Sequence, residues 1–472
     1  MKRLFAIKNL QEVLLVLVYI VAIGSILLFQ KNTLIAAIVT ICSLLIFIDI
    51  KIGLVVALLL APIDRGLGTI NGLSIKLSYL IFVPILIRWF FAKKKIELTS
   101  GIDLPLIVLI GVAILSLIFS SLQLGGTSII HLLKLGRLVF LIAIFYCIVD
   151  YTNTWKAWKK YYWILFLSAS LMSLYAILSL IVYLIIPFPI NNIGPLFIGN
   201  PFPRLAASLW EPIFFASFLL TILPIAIISL TQEKFRKIKG LWLGIFLQVT
   251  ALILTFSRAG WIAAGCGTIF LFISLLVTRN KLERIKWLTV TIIISILLLG
   301  FTLVIIQTSA GKAVLSNIVH PLYAAVSPSE YQFWSTRLRL LSAVTAWNLF
   351  KAHPLLGIGF ERFGEFSSIA APDKLGMDIL AQPEPNNFIL KVAAEMGTIG
   401  LLVVIWILLK VIRIIRLGHN QWNDNSEQKL FLIGYMSAGV CFIVLLQFLS
   451  AVTFIYQWIF FGMLISLAKI KP

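Results

Sequence analysis

The stretch LTFSRAGWIAAG, residues 254–265, decides how the chain is read. An apolar segment runs up to Phe256, Ser257 and Arg258 follow, and a second apolar segment starts at once. The turn leaves no room for a loop. Segments that are apolar on every side and fold straight back on each other behave as neighbouring membrane spans. A charged residue in such a turn stands at the edge of the bilayer.

Composition agrees along the whole chain. Of 472 residues, 61% are hydrophobic and 12% charged, where a soluble domain carries about 25% charged residues. Mean hydropathy is +1.05. Apolar runs recur at 13–29, 33–49, 52–62, 77–92, 104–120, 129–149, 161–186, 208–230, 241–257, 259–278, 287–306, 388–409, 430–449 and 452–468. A helix needs about 20 residues to cross a bilayer, so 52–62 is too short to cross alone and reads as a broken or re-entrant element. The expectation is an all-α polytopic integral membrane protein with twelve to fourteen transmembrane helices. The basic start followed by Val13–Phe29 lacks a small-x-small cleavage pattern, so it reads as a retained first span.

The net charge of +21 could suggest nucleic acid, but its placement excludes that. Most Lys and Arg cluster in short connections, such as Lys93–Lys95, Lys156–Lys160, Lys234–Lys239 and Lys410–Arg416, which alternate with connections poor in charge. That is the positive-inside pattern, and it puts both termini in the cytoplasm. Three regions follow: an N-terminal helix bundle over 1–306, a large outer loop over 307–385, and C-terminal helices over 386–472. In the loop, Ser329 and Gln332 form a capping-box signal. Leu338, Leu341, Trp347 and Leu349 then recur at near-helical spacing, until Pro354 and Gly357 stop the helix. Cys42, Cys147, Cys266 and Cys441 all lie in apolar runs and read as small core residues.

No soluble-enzyme signature is present: no phosphate-cradling Gly loop with Lys, no Asp-x-Asp pair, and four scattered histidines. No metal site or cofactor is expected. The chain offers instead a surplus of cations on the outer side. Arg258 lies in the turn, Arg204 precedes the 208–230 run, and Arg337 begins the loop helix. Lys134 and Arg137 lie inside the 129–149 run, one helical turn apart and so on one face. Glu211, inside the 208–230 run, is the one intramembrane acid to set against them. Charge in a span costs a few kcal/mol and usually lines a cavity or pathway. Headgroup snorkelling or a structural Arg–Glu pair explains any one of these residues. A shared anionic ligand, held bidentately by arginine, explains the surplus.

Three segments carry a resemblance. TFSRAGWIAAG, STRLRLLSAVTAWNLFKAHPLLGIGFERF across a long outer loop, and EPNNFILKVAAEMGTIGLL occur in order within about 250–405. Together they resemble the O-antigen ligase and polymerase superfamily of bacterial surface polysaccharide synthesis. The resemblance implies a membrane glycosyltransferase whose donor is an oligosaccharide on a polyprenyl pyrophosphate, at the outer leaflet of the bacterial plasma membrane. The sugar chain passes to a glycan acceptor hydroxyl. Arg258 and Arg337 match the family's turn and loop-helix arginines and would hold the pyrophosphate, with Arg204 or Arg137 as helpers. The partners so implied are the lipid-linked oligosaccharide, the acceptor, the bilayer and polysaccharide-export proteins.

One position departs from the pattern. Ligases of the family carry His before Asn, whereas this chain reads Asn386 then Asn387. Asparagine is no base at neutral pH, which favours a polymerase over a ligase. Glu384, between Pro383 and Pro385, is the nearest ionisable group; it reads either as the general base or as a first-turn acid favoured by the helix dipole. His353 reads either as a base or as a cation complementing a helix C-terminus. A transporter of lipid-linked oligosaccharide, or of a small anion such as bicarbonate, is the alternative. Such a fold is expected to carry paired broken helices in two similar halves, and no counterpart to 52–62 is found in the second half.

Overall fold

The computed structural model describes residues 49–63, 66–70, 73–92, 100–126, 128–185, 196–198, 203–278, 334–367, 384–422, 426–450 and 452–471. The runs expected at 13–29 and 287–306, almost all of 33–49, and the Ser329 capping box lie outside these residues. In chain order the helices are α1 (Ile50–Leu60), α2 (Leu77–Ala92), α3 (Asp103–Leu124), α4 (Ile129–Tyr151), α5 (Trp155–Ile185), α6 (Pro212–Leu220), α7 (Leu223–Ser229), α8 (Glu233–Arg236), α9 (Lys239–Leu254), α10 (Arg258–Thr278), α11 (Trp334–Ala352), α12 (Phe363–Phe366), α13 (Phe388–Gln421), α14 (Glu427–Leu445) and α15 (Ile455–Lys469). Two antiparallel hairpins join them: β1 (Gly66–Ile70) with β2 (Leu73–Lys76), and β3 (Leu196–Ile198) with β4 (Pro203–Leu205).

Seven described helical stretches are long and apolar enough to cross a membrane: α3, α4, α5, α6 with α7, α10, α13 and α14. Shorter apolar helices occupy Ile50–Leu60, Ser78–Ala92, Lys239–Leu254 and Ile455–Lys469. The chain is thus a mostly helical polytopic membrane protein. The 52–62 run is a short helix, α1, started by Asp49, whose carboxylate accepts from the Lys51 amide.

The 208–230 run is not one uninterrupted helix. It breaks between α6 and α7, because Pro224 has no N–H to give and its ring crowds the preceding turn. The run also starts later than its hydropathy suggests. Glu211 is the residue at the N-cap of α6, so the acid expected within the span stands at its end.

These two half-helices form the centre of the bundle, with nearly every side chain buried. In lipid, helices associate through small residues and buried hydroxyls. Gly267 of α10 faces α14, where a β-carbon would collide with Cys441, and the Ser437 hydroxyl donates to the Gly267 carbonyl at 2.8 Å. Aromatic rings fill the end of α5 nearest Lys156–Lys160: Trp158 stacks on Tyr162, and Phe431 meets both edge-on. Side chains such as Leu115, Phe246, Ile269 and Leu402 stay exposed, as a lipid-facing surface requires.

The connection from α11 to α12 is fixed by a break in another helix. α13 leaves helical geometry at Gly397, with φ +63°. The break frees backbone groups, and the loop after α11 takes them up. Ile358 and Gly359 donate to the Ala394 and Glu395 carbonyls at 2.9 and 3.1 Å. Thr398 and Ile399 donate to the Pro354 and Leu355 carbonyls at 2.8 and 3.3 Å. From α3, the Ser116 hydroxyl lies 2.8 Å from the Leu356 carbonyl and 2.6 Å from that of Glu395, and Ser120 donates to Ile358. The two glycine-bearing motifs therefore form one backbone-to-backbone joint.

A β-carbon at Gly397 would collide with the Leu355 carbonyl and also meet a positive φ. Gly397→Ala should cost about 2 kcal/mol or more. A clear fall in the midpoint of thermal unfolding in detergent is the expected result. Gly111→Ala, where nothing lies within 4 Å of the added carbon, should leave the midpoint unchanged or raise it.

Candidate functional site

α9 starts in the basic segment around Lys239 and ends at the Thr255–Ser257 turn, so the turn lies at the opposite end of the bundle. Phe256 closes it in the left-handed region, φ +47°, a conformation that disfavours a bulky side chain. Two hydroxyls hold it. Thr255 Oγ1 accepts from the Ser257 amide at 3.2 Å, and Ser257 Oγ accepts from the Gly260 amide at 3.2 Å, capping α10. Arg258 is the first residue of α10 and is exposed. A cation there opposes the helix dipole.

Arg204 comes from the other direction. The β3–β4 hairpin pairs Phe197 with Arg204. From there the guanidinium donates to the Thr255 and Phe256 carbonyls, each at 3.0 Å. It thereby satisfies acceptors left over at the C-terminus of α9. Arg339 of α11 belongs to the same group. Burial pushes Arg204 and Arg339 below the ordinary guanidinium value, the charge of Arg258 pushes each further the same way, and Glu211 opposes it. Three arginines from a hairpin and two helices thus share one neighbourhood with Glu211.

Arg339 is the residue that sequence reading missed. The motif STRLRLL holds both Arg337 and Arg339, and resemblance selects the first. Residues two apart on a helix point to different sides. The side chain of Arg337 lies outside the described residues.

Arg137 joins a second group, centred on Glu361. This residue, two positions past Gly359, is buried and has φ +60°, which costs a non-glycine residue about 1 kcal/mol. Its carboxylate meets Lys391 at 2.9 Å, Arg137 at 3.3 Å and Lys134 at 3.7 Å, and Lys134 also donates to its carbonyl at 2.9 Å. Lys134 and Arg137 do share one face of α4. Burial alone would raise the Glu361 carboxyl, but Lys391, Arg137 and Lys134 outweigh it and hold it down at about 2. Beside it, Arg362 donates to Glu365 at 2.7 Å and to Ser120 at 2.7 Å. His131 accepts the Ser128 amide on Nδ1, so its Nε2 carries the proton and donates to Glu365 at 2.9 Å.

Glu384 reaches the same group. Its Oε1 lies 3.3 Å from Lys391 Nζ, and its Oε2 accepts from the Ser450 hydroxyl. It is not the cap of α13. Asn387 is, accepting the Leu390 amide at 3.0 Å while its own amide donates to the Gln447 carbonyl at 3.2 Å. Asn386 is half-buried next to it. His353 is half-buried at the end of α11, with its backbone bonded to Leu349 and Gly357. Among the described residues no group of His, Cys, Asp or Glu has metal-binding proximity.

The fold and these groups define a helical membrane protein with one cluster of arginines and, beside a helix-joint loop, a second group of ion pairs. The O-antigen ligase family model matches residues 243–405, about a third of the chain, running from α9 through the first half of α13. That match supports placing the chain in an O-antigen ligase/polymerase-like family. No curated protein matches. A solved chain from work described as "Structural coordination of polymerization and crosslinking by a peptidoglycan synthase complex" is similar at 14% identity. It covers 78% of this chain and 97% of its own, with a TM-score of 0.40.

Glu361 gives a pH-dependent prediction. Its folded value, about 2, is below the 4.5 of an unperturbed carboxyl. The stability it adds is fully present above pH 4.5 and is lost as pH falls towards 2. Glu361→Gln should cost about 3 kcal/mol at pH 7. Thermal unfolding of both proteins should show the wild-type advantage shrinking between pH 4.5 and pH 2.

Proposed function

We propose that the protein is a membrane glycosyltransferase that moves an oligosaccharide from a polyprenyl-pyrophosphate donor to a glycan acceptor hydroxyl at the outer leaflet of the bacterial plasma membrane, acting as a polymerase rather than a ligase. The observation that carries this reading is the group of Arg204, Arg258 and Arg339 near Glu211 at one end of the bundle. Arginines gathered beside a helix N-terminus favour an anionic ligand. A pyrophosphate set at headgroup depth by its lipid tail suits that preference. Arg337 stays in the proposal as the residue the family motif selects.

In the reaction, the acceptor oxygen attacks the anomeric carbon of the donor. The bond from that carbon to the pyrophosphate oxygen breaks, and its electron pair leaves with the lipid pyrophosphate. Arginine donors aimed at the leaving oxygens stabilise the charge as it grows. The acceptor proton passes to a base, for which Glu384 is the candidate, next to Asn386, Asn387 and the more remote His353. The asparagine at the ligase histidine position supports polymerase over ligase. The orientation rests on charge: α4, α10 and α13 all run from the arginine end towards basic segments.

Arg258→Lys and Arg339→Lys keep the charge and lose the bidentate fork. Each should cut glycan product about tenfold or more, while the protein accumulates normally in the membrane. Chain-length analysis of surface glycan in a deletion strain should show single repeat units. Unattached full-length chains point to a ligase instead, and unchanged glycan to transport. Normal product from both lysine variants would remove the donor site.

The orientation has its own test. In a cysteine-free background, Lys351→Cys at the exposed end of α11 should react with an impermeant maleimide in intact cells. Lys237→Cys, exposed beside α9, should stay unlabelled. The reverse pattern would invert the topology and place the donor on the wrong leaflet.

A further inference from the structure

The ion group around Glu361 holds more charge than the joint between α11 and α13 needs. Glu361 already has Arg137 and Lys134 from α4. Lys391, buried on α13 one helical turn before the buried Glu395, adds a third cation. An ammonium withdrawn from water is kept charged by carboxylates close to it. Glu361 meets it directly and the buried Glu395 lies close by, yet the same nitrogen also meets Glu384, at 3.3 Å. The two carboxylates differ: the Glu361 side chain is 7% exposed and the Glu384 side chain 35%. Lys391 therefore links a sealed anchor to a carboxylate open to a substrate.

Glu384 is tethered at both oxygens, by Lys391 at Oε1 and by the Ser450 hydroxyl at Oε2. Each carboxylate oxygen can accept two hydrogen bonds, so both keep an acceptor direction for a third party. The anchor itself does not swing. The backbone of Glu361 is fixed by the bonds from Ile358 and Gly359 to α13, and its left-handed φ is held by three cations. A side chain meant to take a proton needs its geometry set by neighbours of this kind.

We propose that Lys391 and Glu361 are positioning residues for the transfer reaction: Glu361 fixes the Lys391 ammonium, and Lys391 with Ser450 aims the Glu384 carboxylate at the acceptor hydroxyl. This rests on Glu384 being the base. Lys391 touches no substrate in this scheme. Removing it leaves the donor site of Arg204, Arg258 and Arg339 intact.

The test is a double-mutant cycle on turnover. The assay uses permeabilised membranes and polyprenyl-pyrophosphate glycan extracted from the same cells. Glu384→Gln should lower turnover about tenfold or more. Lys391→Met should lower it by a similar factor, with the KM for the lipid-linked glycan unchanged. Placed in the Glu384→Gln background, Lys391→Met should add almost nothing. A loss from Lys391→Met that is equal in both backgrounds marks a structural role and overturns the inference, leaving Glu384 as base. Full turnover in Lys391→Met does the same. Full turnover in Glu384→Gln overturns both. If Lys391→Met does not accumulate, Ser450→Ala enters the same cycle, since it removes the other tether without stranding a buried charge. Additive loss there likewise overturns the proposal.

Discussion

Four main-chain hydrogen bonds hold the loop of residues 354–359 to the break in α13. Within a membrane protein a helix can open only where something else takes up its backbone groups. Gly397 opens α13 with a positive φ, and the loop supplies both the donors and the acceptors that the break leaves over. Neither partner is stable in this shape without the other. The hydroxyls of Ser116 and Ser120 lock the pair to α3.

Two positions past Gly359, the chain delivers Glu361 into a pocket between α4 and α13. Three cations meet it there, and one of them carries on to Glu384. In this group Glu361 and Glu384 each meet a cation at hydrogen-bonding range, and the buried Glu395 accepts from the Phe363 amide at 3.3 Å. Among the described residues, Arg204 and Arg339 both interact with Arg258 and with Glu211. A buried network of ion pairs fixes geometry, whereas a cluster of cations open to the surface favours an anion. In the proposed scheme the arginines take the substrate charge and Glu361 serves alignment.

The stretch that matches the O-antigen ligase family, 243–405, contains Arg258, Arg339, the joint and Lys391. Arg204, Glu211, Lys134, Arg137 and Ser450 lie outside it. Both groups are therefore completed by residues that the family match does not reach.

The sequence alone determined the membrane class, because an apolar run in lipid has little choice but a helix that satisfies its own backbone. It also singled out Arg258, since charge inside such runs is costly enough to be conspicuous. It paired Lys134 with Arg137, because helical spacing puts them on one face. Tertiary structure decided the rest. Nothing in the sequence picks out Arg339, and only the packing of α11 brings it to Arg258. Arg137 and Glu361 are 224 residues apart, and no local pattern announces their pairing. A glycine in an apolar run gives no sign of its φ, so the break at Gly397 and the loop that fills it appear only together. Helix formation is local and can be read from spacing; the meeting of charges depends on which faces the bundle brings together.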